Sequence, residues 1–447
     1  MTKRIALSAL IIAPGASRSP WRHPDVDPAN VNSIDAFVSW AQTAERGFFD
    51  LFFIADTTGA RYRDLDVVTQ SPHDENRFEP LTLLSAVAMA TKHIGLGGTV
   101  STSWHEPFNI ARNFATLDWI SHGRAAWNVV TSADQYSFQN FGLEAMPTHD
   151  DRYGRAEESL SLVKKYWDTW EDDAFIFDKE GARNYDPAKF HLVDHKGRFF
   201  KVKGGLPIAR PPQGYPVIIQ AGASEVGREL AAASAEVVFG ASATLERAKS
   251  FYDDVKGRMA RHGRAPEELK ILAGVQVIVG RTESEAQEKL RVLKEIVPIG
   301  ARLARLSQDL EADLRDLPLD EPIPPERIPT EANLHQGYFR EIVDYISQGR
   351  TLREVALWYE RSTSQLVGDP VQVADIMQDW VEHDACDGFM FSIQWLPGNL
   401  DDLVNLLVPE LQKRGMGRTQ WEGSTLRENL GLARPENRYV KYAQAKV

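Results

Sequence analysis

The chain has 447 residues, enough for one large α/β domain with insertions or for two to three smaller domains. Its formal charge of -12, from 63 acidic against 51 basic residues, argues against nucleic acid or an anionic membrane as main partner, since both reward clustered Lys and Arg. A single cysteine, Cys386, excludes a disulfide framework and any multi-thiolate zinc or iron-sulfur site, and it fits a reducing, cytoplasmic compartment.

From the N-terminus, Lys3-Arg4 followed by the apolar Ile5 to Ile12 imitates a short signal peptide. The run is short and no cysteine pairs follow, so it reads as a first strand. The longest other apolar stretch, Leu81 to Ala90, is far below the roughly 18 residues of a membrane span. Strand-like runs then alternate with 3.6-period segments. The predicted strands are Arg4 to Ile12, Phe49 to Ala55, Ile94 to Ser101, Ala125 to Thr131, Pro216 to Ala221, Val237 to Gly240, Ile271 to Val279 and Gly388 to Trp395. Between and after them the pattern predicts helices over Ser33 to Arg46, Pro80 to Thr91, Phe108 to Ile120, Tyr153 to Trp170, Ser224 to Ser234, Thr244 to His262, Ser284 to Ile296, Val371 to His383 and Leu400 to Arg414. Eight strands each followed by a helix predict a (β/α)8 TIM barrel spanning 1–447 as a single domain, with insertions in loops near 60–78, 171–213 and 300–368. Such a barrel builds its site at the C-terminal strand ends.

The polar residues cluster at those ends. Strand two runs into Asp56-Thr57-Thr58, strand three into Thr99-Val-Ser101-Thr-Ser-Trp104-His105, and strand four holds Asn128 and Thr131-Ser132. Hydroxyl and amide groups at the ends of buried strands are costly unless something polar binds there, although any one of them fits a cap or turn as well. His149 and Tyr153, four apart, would share a helix face, with Asp150 or Asp151 as the cap and Glu157-Glu158 on the exposed side. His191 and His195 have a metal-like spacing but no third ligand near them. His122 reads as structural. The segment Pro216 to Glu229 carries most information: an apolar strand, then Ala221-Gly222-Ala-Ser224, then a helix. Gly222 permits close backbone approach, Ser224 can cap the helix, and the free N–H groups of the first turn attract an anion. An ordinary strand-to-helix turn gives the same pattern. A nucleophile elbow is not met, because Val226 stands at its second glycine, and Gly95-Leu-Gly97-Gly98-Thr-Val100 lacks the last glycine of a dinucleotide fingerprint.

Trp21-Arg-His-Pro, Phe49 to Asp56, Glu106 to Arg112, Phe114 to Asp118, Gly123 to Ser132, Asn140-Phe-Gly142, His149 to Glu158, Pro216 to Gly222, Asp387-Gly-Phe389 and the tail Thr419 to Leu432 together resemble the bacterial-luciferase-like flavin monooxygenases of the nitrilotriacetate and dibenzothiophene-sulfone monooxygenase group. The resemblance covers roughly residues 5 to 434. It implies a barrel enzyme that takes reduced FMN from a separate NAD(P)H:FMN reductase, transfers one atom of O2 to a small organic substrate, and forms a homodimer or homotetramer. By the same resemblance Asp56, Thr99, Asn128, His149, Tyr153, Ala221, Gly222 and Ser224 match cofactor-binding positions. Trp104, Phe53 and Trp395 are then candidate dry walls of a substrate pocket, and His105 a candidate acid or base. Trp104-His105 and the residues after Asp56 depart from the family pattern, so the substrate is left open among aminopolycarboxylates, organosulfur compounds and aromatic or heterocyclic molecules. A deazaflavin-dependent oxidoreductase, a non-catalytic flavin-binding protein and a phosphate-ester barrel enzyme are the alternatives.

Overall fold

The computed structural model describes residues 3–440 apart from 63–64, 66–68, 70–74, 133–135, 223, 242–243, 331–335 and 360–363. Most of the predicted insertion at 60–78 therefore lies outside the described residues. The strands are β1 Ala6–Ile11, β2 Leu51–Ile54, β3 Gly95–Ser101, β4 Ala125–Val130, β5 Phe175–Asp178, β6 Arg183–Tyr185, β7 Val193–Lys196, β8 Lys201–Gly204, β9 Val217–Gln220, β10 Val237–Ala241, β11 Lys270–Val279, β12 Ser364–Gly368 and β13 Gly388–Ser392. Eight of them, β1, β2, β3, β4, β9, β10, β11 and β13, pair in parallel in that order and close through β13 on β1. These are the eight strands predicted, and they form the (β/α)8 barrel.

Parallel strands covered on both faces read as near-continuous apolar runs, which is why periodicity found them. In β1, Leu7, Ala9 and Ile11 face the surrounding helices, where they join Phe37, Trp40 and Phe389 in the largest apolar cluster. The alternate inner positions of the barrel, such as Leu51, Phe53, Ala126, Ile219 and Phe239, form a second cluster.

Each predicted helix is present within a few residues. Ser33, Ser224, Thr244 and Thr282 cap four of them through their side-chain oxygens. The helix at 400–414 differs: it runs from Gly398 to Lys413 and contains a π turn over Leu403–Leu407. Among the described residues no helix is long and apolar enough to cross a membrane.

The insertions are structured. Residues 171–213 contain the antiparallel hairpins β5–β6 and β7–β8. Residues 300–368 form helices Ile299–Leu310, Gln336–Ile346 and Leu352–Trp358, which enclose their own apolar cluster around Leu306, Ile342 and Val355. They also supply β12, a ninth strand absent from the sequence reading. It pairs with the outer half of β11, Val275 to Val279, beyond the point where β13 leaves that strand.

The tail decides which end of the barrel is open. Leu426, Leu430 and Leu432 pack among the inner residues Leu51, Val217, Val237 and Leu272 and so fill the N-terminal mouth. A Cβ on Gly95 would come within 2.5 Å of Leu426, so glycine here makes room for the plug. Arg418 donates to Asp50 Oδ1 at 2.6 Å, and Arg427 is buried with its guanidinium on Glu236.

Candidate functional site

At the opposite, C-terminal end, Thr99 of β3 and Asn128 of β4 are register partners. Asn128 Nδ2 donates to Thr99 Oγ1 at 2.9 Å, and both side chains are buried. Asn128 Oδ1, also buried, has no hydrogen-bond partner among the described residues. A native interior rarely leaves an acceptor in that state, so an N–H from a bound molecule is its natural complement. Asp56 lies two residues beyond β2, partly buried and engaged by neighbouring residues.

The second part of the site is where β9 gives way to the helix Glu225–Ser234. Ser224 is the N-cap, its Oγ accepting the Gly227 N–H at 3.1 Å. Tyr153, from the helix His149–Trp167, brings its hydroxyl to 3.3 Å from the same Oγ. His149 lies one turn earlier with its ring 4.6 Å from that of Tyr153. Two hydroxyls and the free N–H groups of a helix start thus meet at one exposed point beside Ala221 and Gly222. Gly222 is required by packing: a Cβ there would stand 2.9 Å from Gly227 Cα. Glu225 in the first turn would repel an anion, but Arg258 holds it with both terminal nitrogens, at 2.6 and 2.9 Å. That contact keeps the Glu225 carboxyl below its ordinary range.

Trp104 is buried and lies parallel to Phe141, with centroids 5.5 Å apart. His105 Nδ1 is 3.1 Å from the Ser101 carbonyl. A carbonyl only accepts, so Nδ1 carries the hydrogen of that contact. Phe53 is inside the barrel against Phe239 at 4.8 Å. Trp395 lies beyond the end of β13 and packs onto Val26, Ile278 and Leu293, in an apolar cluster separate from that of Phe53 and Phe239. His23 stacks on its ring at 4.7 Å.

Three other expectations change or resolve. The helix at 149 is capped by Thr148, which accepts from Asp151 N at 3.2 Å, so Asp150 and Asp151 lie inside the first turn. Glu158 is not a surface ornament: it accepts from Phe199 N and Phe200 N and contacts His195 at 2.9 Å, tying the second insertion to this helix. Burial raises its pKa, but those hydrogen bonds outweigh that and leave it below the ordinary value. His191 meets a different carboxylate, Glu171, at 2.8 Å, and among the described residues no group of three ligands could hold a metal. Sequence reasoning missed Phe141, His23 and Arg258 as neighbours of the named residues. The first two lie in motifs already singled out, Asn140-Phe-Gly142 and Trp21-Arg-His-Pro, whereas Arg258 carries no local signal.

The family model of luciferase-like monooxygenases matches residues 16–385. This chain belongs to the luciferase-like monooxygenase family. It is 44% identical to nitrilotriacetate monooxygenase component A of Aminobacter aminovorans, over 98% of this chain and 99% of that one. It is 43% identical to N-acetyl-S-(2-succino)cysteine monooxygenase of Bacillus subtilis, with the same coverage. Among solved structures, DmoA from Hyphomicrobium sulfonivorans superposes with a TM-score of 0.86 at 29% identity, covering 100% of this chain and 97% of that one. The luciferase-like assignment thus agrees with the resemblance read from the sequence.

Proposed function

We propose that this luciferase-like monooxygenase is the oxygenating component of a two-component system. It takes reduced FMN from a separate NAD(P)H:FMN reductase and places one atom of O2 on a small organic substrate; "component A" in the name of its 44% identical relative supports that division. When bound, reduced FMN supplies the two electrons that allow O2 to be divided between substrate and water. The whole chain acts as one barrel domain in the cytoplasm, as a homodimer or homotetramer.

The observation that carries the reading is the pairing of an orphaned acceptor, Asn128 Oδ1, with an anion cradle at Ser224 and Tyr153, both on C-terminal ends of barrel strands or the helices after them. The residues fit the group. Ser224 Oγ already accepts from Gly227, so its own hydrogen or that of Tyr153 is free for a phosphate, with the helix start adding charge. Ala221 and Gly222 let the backbone approach, His149 covers Tyr153, and Asp56, Thr99 and Asn128 take the ribityl chain and ring edge. Trp104 and Phe53 keep the chamber dry, which matters because water diverts the reaction to hydrogen peroxide. Trp395 is the third wall of that substrate pocket. His105, its Nδ1 held by the Ser101 carbonyl, accepts and returns a proton at Nε2 during turnover.

Turnover with a generic flavin reductase, FMN, NADH and heavy-isotope O2 over a panel of amine, sulfur and aromatic substrates is expected to give labelled product by mass spectrometry. Equal turnover without oxygen would favour the deazaflavin alternative. Ser224→Asp keeps a good helix cap yet sets a negative charge against the phosphate, so FMN affinity should fall about ten-fold or more at unchanged thermal stability. Unaltered affinity in a fluorescence titration would remove the phosphate from this position.

A further inference from the structure

Trp127, Trp167 and Trp170 are buried, and each donates its indole N–H to a backbone carbonyl, of Val100 at 3.0 Å, Ala111 at 2.9 Å and Leu206 at 2.8 Å. Trp104 is 9% exposed, and its Nε1 has no acceptor among the described residues; Trp395 Nε1 is unmet as well, but that ring is packed against Val26, Ile278 and Leu293 and stacked on His23. Carbonyls of the adjoining strand ends accept from other donors: that of Ser101 from His105, that of Thr102 from Arg155, that of Val130 from Thr102 and that of Thr131 from Ser103. Among the described residues Trp104 belongs to none of the apolar clusters, and its ring lies against that of Phe141. The core thus leaves this donor unsatisfied on the turn that follows β3, at the open end of the barrel.

We propose that the Trp104 indole N–H is a specificity-determining donor for substrate, selecting small molecules that carry a carboxylate or sulfonyl oxygen. The proposal rests on the monooxygenase reading above and narrows its substrate class. Two orphans of opposite sense sit on neighbouring strand ends: Asn128 offers an acceptor, to the cofactor, and Trp104 offers a donor. An unmet buried donor costs free energy that a ligand oxygen recovers, most strongly when that oxygen is charged. A site built around such a donor also rejects the analogue that lacks the acceptor.

The test compares wild type with Trp104→Phe, which keeps the ring and removes the N–H, and with Trp104→His, which restores a ring N–H. Probes are nitrilotriacetate, dibenzothiophene sulfone and dibenzothiophene, the last having the sulfone's skeleton without its oxygens. Wild type is expected to prefer the oxygen-bearing probes. Trp104→Phe should weaken their binding about ten-fold, read as KM and as calorimetric affinity, with dibenzothiophene binding little changed. Trp104→His should recover part of the loss. FMN affinity and melting temperature should match wild type in both variants, and if wild type binds no FMN the monooxygenase reading itself is at fault. The donor role is overturned if wild type binds neither oxygen-bearing probe, or if Trp104→Phe binds them as wild type does.

Discussion

A buried imidazole against an indole has few ways to be satisfied, and His23 uses two of them. Its Nδ1 accepts the Asp25 N–H at 3.2 Å, and its ring stacks on Trp395. Burial lowers its pKa below the ordinary 6.5, with the Asp25 carboxylate opposing. Between the folded value and 6.5 the unfolded chain therefore binds more protons, so stability rises with pH in that window and is lost on acidification below it. The melting temperature should fall between about pH 7.5 and about pH 5.5, and His23→Phe, which retains an aromatic partner for Trp395, should shrink the drop. An equal drop in both proteins, by calorimetry, would assign the pH dependence to other groups. His23 was visible in the sequence only as part of a motif. Its meaning depends on Trp395, which comes from the far end of the chain.

The most informative element is the β9 strand, its turn and the helix Glu225–Ser234. Its parts follow from short-range rules: an apolar run, a small-residue turn and a serine cap, all readable in order along the chain. The close approach of Gly222 to Gly227 depends on how the helix returns over the turn. Gly222→Ala should push the helix start away, at about 1–3 kcal/mol of stability, and weaken FMN binding together with it. Denaturant titration and fluorescence titration on one preparation check both. Normal stability and normal affinity together would mean that the turn yields without cost. The cap falls on Thr148 rather than on its acidic neighbours because Thr148, Asp150 and Asp151, within four residues, are all good caps, and local preference does not choose among them.

At the scale of the molecule, the tail acts as the stopper of the barrel. Asp50, at the foot of β2, accepts from Leu7 N at 2.9 Å and from Arg418 at 2.6 Å, and so joins two barrel strands to the tail. Burial raises the Asp50 pKa while Arg418 opposes it. Arg418→Met would leave a carboxylate without its partner and should cost about 3–5 kcal/mol in denaturant unfolding. Adding Asp50→Leu should return part of that loss. If the double variant is no more stable than the single, the ion pair is not what holds the tail.

The sequence by itself determined the barrel, its eight strands, its flanking helices and the serine-capped turn after β9, because each rests on periodicity or on contacts within one turn. It also placed polar residues at the strand ends, since their spacing along each strand is local. Only the tertiary structure decided that the tail closes one mouth, that β12 extends the sheet, that Trp395 packs onto Val26, Ile278 and Leu293 and that Trp104 and Asn128 keep unmet polar atoms. Those features arise between residues far apart in the chain, where hydrogen-bond partners and packing neighbours exist only once the cylinder has closed.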